Sequence, residues 1–184
     1  LPLALDASAQ REFEQRLPFE PTRAQSAAIR DIASDVSGES PMRRLLQGDV
    51  GSGKTAVAAF ACWAACRCGM QAALLAPTEV LAAQHFRTLS SLLAPMGTAI
   101  NLLTGGSTAR ERADALESAA SGKPSVLIGT HAILEPPVSL PRLALLVVDE
   151  QHKFGVDQRE ALLAGRDRRP HLLVMSATPI PRTL

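Results

Sequence analysis

The segment GDVGSGKT, residues 48–55, has the residue types and spacing of a loop that binds phosphate. It fits the pattern G-x-x-x-x-G-K-[ST], whose glycines let the backbone curl around an anion and present its N–H groups. Lys54 can reach β- and γ-phosphates, and the Thr55 hydroxyl can hold a magnesium ion. The sequence therefore predicts a nucleoside triphosphate and Mg²⁺ at this loop, bound by Gly48, Asp49, Val50, Gly51, Ser52, Gly53, Lys54 and Thr55.

A second chemical feature is the pair of adjacent carboxylates, Asp149 and Glu150, that ends the apolar run LALLVV. A nucleoside triphosphatase with a phosphate loop needs an acidic site on a neighbouring strand. We expect Asp149 to hold the magnesium ion through water and Glu150 to act as the general base toward the attacking water. The alternative is that the two acids only cap a strand. The phosphate loop upstream favours a role in hydrolysis instead.

The elements that must position these residues follow from the alternation of apolar runs with longer segments after residue 43. Segments 56–68, 79–93 and 108–120 are long enough for helices. Alternating strands and helices predict an α/β fold, the three-layer fold of P-loop NTPases, with a mostly parallel sheet covered by helices on both faces. The predicted strands, apolar on both faces, are RLLQG, QAALLAP, AINLLTG, SVLIGT, LALLVVDE and HLLVMSAT.

Composition limits the partners and the surroundings of the chain. The 184 residues suit one domain, and 19 basic against 18 acidic side chains exclude a global basic surface. The apolar run at 56–66 is too short to span a bilayer, which needs about 20 residues. Cys62, Cys66 and Cys68 lie close together without a nearby histidine, so we expect buried free thiols in a reducing cytoplasm.

Several motifs in order resemble the RecG-type branched-DNA helicases of bacteria, which belong to superfamily 2 and carry a DExH box. The motifs are GDVGSGKT, APTEVLAAQH, LLTG, IGTHAI, VVDEQHKFGVDQR and VMSATPIPRTL, and the resemblance covers residues 17–184. It implies a RecA-like lobe that binds ATP and Mg²⁺ and works on forked or junction DNA in replication restart, recombination and repair.

The resemblance assigns PFEPTRAQ, residues 18–25, to an adenine-reading segment. It implies that Phe19 stacks on the base and that Gln25 hydrogen-bonds the base edge. Thr22 and Gln25 also fit the capping box T-x-x-Q at a helix start. The two interpretations are compatible, and both remain open at this point.

The family also implies DNA contacts at the ends of three predicted strands. Small hydroxyls and a helix N-terminus can hold backbone phosphates without reading bases, as a translocating motor requires. For APTEVLAAQH the alternative is an ordinary strand-to-helix turn with Thr78 as the N-cap. The implied contacts are Pro77, Thr78, Thr104, Gly105, Thr130 and His131.

A final group of residues is implied to link hydrolysis to the DNA track. The SAT segment resembles motif III of superfamily 2, and the residues after the acidic pair complete the DExH box. His152 could instead be an ordinary buried histidine. The implied coupling residues are Gln151, His152, Ser176, Ala177 and Thr178. The residue types of segment 153–159 suggest no role.

The resemblance also predicts how the chain is organised and what accompanies it. We expect residues 1–21 to be a leader outside the sheet and residues 22–184 to be the ATP-binding lobe. The chain begins with Leu1, and we expect a longer protein that supplies a second RecA-like lobe and a DNA-wedge domain. The lobe alone should be nearly inactive.

Two other functions remain open from the sequence. The translocase module of a transcription-repair coupling factor has similar motifs, but its box usually reads D-E-E-H, whereas this chain has Gln151. A nucleotide-gated DNA-binding module without hydrolysis would predict a damaged Lys54, Thr55 or Glu150, and all three are intact.

Overall fold

The computed structural model describes residues 2–149 and 169–177. Four predicted site residues, Glu150, Gln151, His152 and Thr178, lie outside the described residues, as does segment 153–159.

The strands begin and end close to the predicted apolar runs. They are β1 (Arg43–Gln47), β2 (Gln71–Leu75), β3 (Ala99–Leu103), β4 (Ser125–Gly129), β5 (Leu143–Asp149) and β6 (His171–Ser176). All pair in parallel in one sheet with the order β1-β6-β5-β2-β4-β3. The predicted parallel α/β sheet is confirmed.

Helices cover both faces of this sheet. They are α1 (Ala9–Arg16), α2 (Arg23–Val36), α3 (Lys54–Arg67), α4 (Glu79–Leu93) and α5 (Ala109–Ala120), with short 3-10 turns at Ala94–Met96 and His131–Leu134. Buried residues of α1 to α4 form one apolar cluster with one face of the sheet, and α5 with the His131–Leu134 turn forms a second cluster on the other. This is the predicted three-layer arrangement.

Burial of the strands differs between the middle and the ends of the sheet. Every residue of β2 and β4 is buried, as is all of β5 before Asp149. β1 alternates exposed and half-buried residues, and Leu45 is 42% exposed. The expectation that all strands are apolar and covered on both faces is therefore wrong for β1 and for most of β3. Both strands lie at an end of the described sheet, where fewer neighbours cover them.

The segment before residue 22 contains a helix, α1, that the sequence analysis did not predict. Its Phe13 is fully buried and meets Phe60 of α3 in a T-shaped arrangement with 5.3 Å between ring centroids. Trp63 lies 5.5 Å from the same ring. The segment contributes no strand to the described sheet, yet it completes the apolar layer over α3. The domain boundary at residue 22 stays a prediction.

The α3 helix is buried along almost its whole length, as its apolar sequence predicts. All residues from Ala56 to Cys66 are buried, and burial raises the pKa of the Cys66 thiol to about 12. Cys62 is also buried with a strongly raised pKa, whereas Cys68 is only half-buried. All three cysteines are free. Among the described helices, none is both long and apolar enough to cross a membrane.

Candidate functional site: a phosphate loop and an acidic strand end on one sheet edge

The phosphate loop connects the carboxyl end of β1 to the first turn of α3. Gly51 and Gly53 have φ values of 83° and 79°, a left-handed conformation that side chains with a Cβ rarely adopt. Gly53 is the N-cap of α3, so the helix begins with Lys54. The N–H groups at the start of this first turn and the helix dipole favour an anion at the loop.

Lys54 lies against the loop that precedes it. Its Nζ donates to the carbonyl oxygens of Gly48 and Asp49 at 2.5 and 2.8 Å. The ammonium is therefore held among the backbone groups that would surround a phosphate. Thr55 follows in the same first turn and is half-buried, while Val50 at the tip of the loop is 89% exposed.

Gln25 joins the start of α2 to the phosphate loop. Its side chain accepts from the backbone N–H of Thr22 at 2.9 Å, and Thr22 Oγ1 accepts from the backbone N–H of Gln25 at 3.2 Å, so the predicted capping box is confirmed. Gln25 Nε2 also donates to the Ser52 carbonyl at 3.1 Å. A Cβ on Gly53 would lie 2.1 Å from that nitrogen, so a larger residue at position 53 would displace the Gln25 amide. Phe19, 44% exposed, precedes this cap.

The acidic strand end lies two strand positions from the phosphate loop. β6 separates β1 from β5, with Gln47 in register with Ser176 and Asp149 in register with Met175. Neighbouring strands are about 4.8 Å apart, so the two strand ends are separated by roughly 10 Å. The backbone N–H of Gly48 donates to the Ser176 carbonyl at 3.2 Å. Ser176 and Ala177 therefore lie between the loop and Asp149.

Asp149 is mostly buried and paired. Its Oδ2 lies 2.7 Å from Nε2 of His85 on α4, and the two side chains are 13% and 10% exposed. Within residues 2–149 and 169–177, no group of three or more His, Cys, Asp or Glu side chains could hold a metal. Magnesium usually takes one or two carboxylates and completes its shell with water and substrate phosphates. The oxygen donors of Asp149 and Thr55 suit this hard cation.

The six predicted DNA-contact residues follow β2, β3 and β4 at the same edge. Leu75 and Leu103 are both in register with Gly129, so the three strands end at one level. Thr78 is the N-cap of α4, with its hydroxyl accepting from the backbone N–H of Leu81 at 3.3 Å, as predicted. The residues fall into an exposed group of Thr78, Gly105 and His131, the half-buried Pro77, and a buried pair of Thr104 and Thr130.

Three residues of this edge were missed by sequence reasoning. His85 was read only as part of APTEVLAAQH. Glu79 Oε1 accepts from the backbone N–H of Gly106 at 3.2 Å and ties the first turn of α4 to the loop after β3. Ser107 Oγ accepts from the backbone N–H of Thr104 at 3.1 Å. A local signal existed for Ser107, three residues after Thr104, but the other two contacts join segments that are distant in sequence.

Comparison with known proteins matches residues 22–184 to the family model described as DEAD/DEAH box helicase. The chain is 46% identical over 181 residues to the ATP-dependent DNA helicase RecG of Aquifex aeolicus, covering 98% of this chain and 23% of that protein. It is 49% identical over 173 residues to RecG of Synechocystis sp., covering 94% of this chain and 21% of the relative. The chain thus spans about a quarter of the length of these relatives.

A solved structure with the same architecture is that of RecG bound to a three-way DNA junction. It matches with a TM-score of 0.85 and 39% sequence identity, covering 98% of this chain and 24% of that one.

Proposed function

The chain belongs to the DEAD/DEAH box helicase family, and we propose that it is the first RecA-like motor lobe of an ATP-dependent helicase acting on branched DNA. The observation that carries this proposal is the shared sheet edge, with the phosphate loop after β1 and Asp149 at the end of β5. The similarity to RecG proteins, one of them bound to a DNA junction, supports forks and Holliday junctions as substrates in replication restart, recombination and repair. Because these relatives are bacterial, we also propose the bacterial cytoplasm as its location.

In the proposed reaction the phosphate loop binds the β- and γ-phosphates of ATP. Lys54 exchanges its two loop carbonyls for phosphate oxygens, and the hydrogen bonds gained are charge-assisted on both sides and therefore stronger. Asp149 and Thr55 would hold Mg²⁺, whose charge neutralises the transferring phosphoryl group. Glu150 accepts the proton of the attacking water.

Adenine recognition is proposed for Phe19 and Gln25. The exposed Phe19 ring is available for stacking, and the Gln25 amide lies beside the loop through its bond to Ser52. The capping box does not exclude a base contact, because the amide group has two N–H donors and two acceptor lone pairs.

The row of loops after β2, β4 and β3 is proposed to hold the DNA backbone. Thr78, Gly105 and His131 are exposed and suit direct phosphate contacts, together with the α4 N-terminus that begins beyond Pro77. Because Thr104 and Thr130 are buried, we propose that they contribute by shaping their loops. The Glu79 carboxylate would repel phosphate, so its bond to Gly106 also fixes where negative charge lies in this row.

Coupling between the two halves of the edge is proposed for the motif III segment and the DExH box. Ser176 ends β6 and Ala177 follows it, between the phosphate loop and Asp149. Gln151, His152 and Thr178 are proposed for the same role from the family resemblance alone. This chain covers only 23% and 21% of the length of two RecG relatives, so we propose that further domains of the same protein act with it. From the family resemblance, these are a second RecA-like lobe and a DNA-wedge domain.

The test of this function is the DNA dependence of ATP hydrolysis by the full-length natural protein. Forked DNA should stimulate hydrolysis more than linear duplex of the same length and composition, and RNA polymerase should not stimulate it. Stimulation by RNA polymerase without a fork preference would instead identify a transcription-repair translocase. ATP binding without any hydrolysis would identify a nucleotide-gated binding module.

A further inference from the structure

His85 lies at the boundary between the two halves of the candidate site. In the sheet order, β5 with Asp149 is next to β2, and α4 follows β2 directly. His85 is the seventh residue of α4, about two turns after the N-cap Thr78. Its contact with Asp149 joins the helix that begins at the proposed DNA row to the carboxylate proposed for magnesium.

The chemistry of the contact fixes the role of each atom. A carboxylate oxygen can only accept, so His85 Nε2 carries the hydrogen and donates it to Asp149 Oδ2 at 2.7 Å. This bond restricts rotation of the carboxylate about its terminal torsion, which is otherwise broad. It also satisfies one oxygen in a site where both side chains are nearly buried. The other oxygen, Oδ1, is left in a defined direction.

We propose, on the basis of the function proposed above, that His85 is a positioning residue that orients Asp149 for magnesium bound with ATP. Hydrogen bonds to metal-ligating carboxylates have this effect in metal sites generally, and losing such a partner typically costs about 10- to 100-fold in metal affinity. Packing does not require a polar pair here, because α4 is anchored to the core by Ala82, Leu89, Leu92 and Leu93.

Three variants of the full-length natural protein separate positioning from packing. His85→Leu removes the donor and keeps a side chain of moderate volume. His85→Gln keeps an N–H donor at a reach close to that of the imidazole Nε2, whereas the shorter His85→Asn does not reach Asp149. Leu89→Ala is the matched control, because Leu89 is fully buried one turn further along α4 and its truncation makes a cavity without removing a hydrogen-bond donor.

The readout is the affinity for a non-hydrolysable ATP analogue, AMP-PNP, measured by calorimetry with magnesium chloride and again with EDTA. The wild-type protein should bind more tightly with magnesium. His85→Leu and His85→Asn should reduce this magnesium-dependent gain by roughly 10- to 100-fold, with affinity in EDTA unchanged. His85→Gln should retain most of the gain. Leu89→Ala should lower the melting temperature and keep the magnesium-dependent increase in affinity.

The outcomes distinguish a failure of the inference about His85 from a failure of the proposed nucleotide site. If the wild-type protein shows no magnesium-dependent gain, the proposed nucleotide site itself is wrong. If the wild-type gain is present and His85→Leu or His85→Asn keeps it, the inference about His85 is overturned and the proposed function stands. Should His85→Leu fail to fold, the comparison of His85→Asn with His85→Gln decides, because equal gains in these two would also contradict the positioning role.

Discussion

At the residue scale, the phosphate loop depends on one fixed cation. Lys54 is held by the Gly48 and Asp49 carbonyls, so its ammonium is already positioned at the loop before any anion binds. A side chain that is already positioned loses less conformational entropy when it binds an anion.

Lys54→Ala should remove most of the affinity for ATP with magnesium. A hydrogen bond to a charged group contributes about 1.5–3 kcal/mol, which corresponds to roughly 10- to 150-fold in affinity. Calorimetric titration measures the change. Lys123→Ala is the control, since Lys123 is exposed in the loop before β4, at the opposite edge of the sheet. Unchanged affinity in a folded Lys54→Ala variant would rule out this loop as the phosphate site.

Glu150→Gln should separate nucleotide binding from hydrolysis. The amide keeps the shape of the side chain but cannot accept a proton from water, so turnover should fall by roughly 10²–10⁴-fold while ATP binding persists. Steady-state ATPase assays and calorimetry on the full-length protein measure the two quantities. Glu39→Gln, in an exposed loop, should change neither. Near-normal turnover would show that another residue is the base.

Gly53→Ala should weaken the phosphate loop by two separate effects. An L-residue at φ 79° costs roughly 1–2 kcal/mol, and the new Cβ would collide with the Gln25 amide. Gly51→Ala carries the strain alone, because nothing lies within 4 Å of its Cβ position. Thermal unfolding and ATP titration should show a larger loss for Gly53→Ala. Equal losses would mean that the Gln25 contact is unimportant.

At the element scale, the aromatic contacts of α1 make the N-terminal segment part of the folded lobe. Phe13 is fully buried between Phe60 and Trp63. Each aromatic pair of this kind adds about 1 kcal/mol beyond the burial of apolar area. The segment should therefore not behave as a detachable tail.

Phe13→Ala should lower the free energy of unfolding by about 3–5 kcal/mol, because it leaves a cavity against α3. Denaturant unfolding of the 184-residue chain measures this loss. Phe19→Ala is the matched control, since the same ring at Phe19 is 44% exposed and its loss should leave stability nearly unchanged. A small effect of Phe13→Ala would mean that α1 does not contribute to the core.

Most elements could be predicted from the sequence because a parallel sheet buries its central strands as continuous apolar runs. β2, β4 and β5 follow that rule, and α3 follows its all-apolar pattern. The α1 helix escaped prediction because only Ala9 and Phe13 are buried among charged and polar residues. The covered faces of β1 and β3 were predicted wrongly because position at the end of a sheet depends on tertiary pairing.

The candidate site divides in the same way. The loop and the acidic pair could be proposed from the sequence because their local residue types suit phosphate and metal chemistry. The bond between His85 and Asp149 joins residues 64 positions apart, and the Glu79 bond joins the start of α4 to the loop after β3. Such contacts depend on the strand order, which local patterns do not determine.

At the scale of the whole molecule, the carboxyl edge of the sheet has a nucleotide half and a proposed DNA half. β1 and β5 carry the phosphate loop and Asp149, with Ser176 and Ala177 at the end of β6 between them, while β2, β4 and β3 carry the loops proposed to hold DNA. α4 and His85 lie where the halves meet. In the proposed two-lobe motor, the second lobe would close over the γ-phosphate with an arginine, and such a residue contributes roughly 10³–10⁵-fold in rate in related systems.

The most direct test of this account is a coupled ATPase assay on the 184-residue chain beside the full-length natural protein, each with forked DNA. The chain alone should fold, bind ATP weakly and hydrolyse it at a rate barely above background, because Lys54 and Mg²⁺ alone must stabilise the charge on the transferring phosphoryl group. The full-length protein should show strong stimulation by the fork. A DNA-stimulated rate of the chain alone equal to that of the full-length protein would contradict the account, since the catalytic set would then lie wholly within these residues.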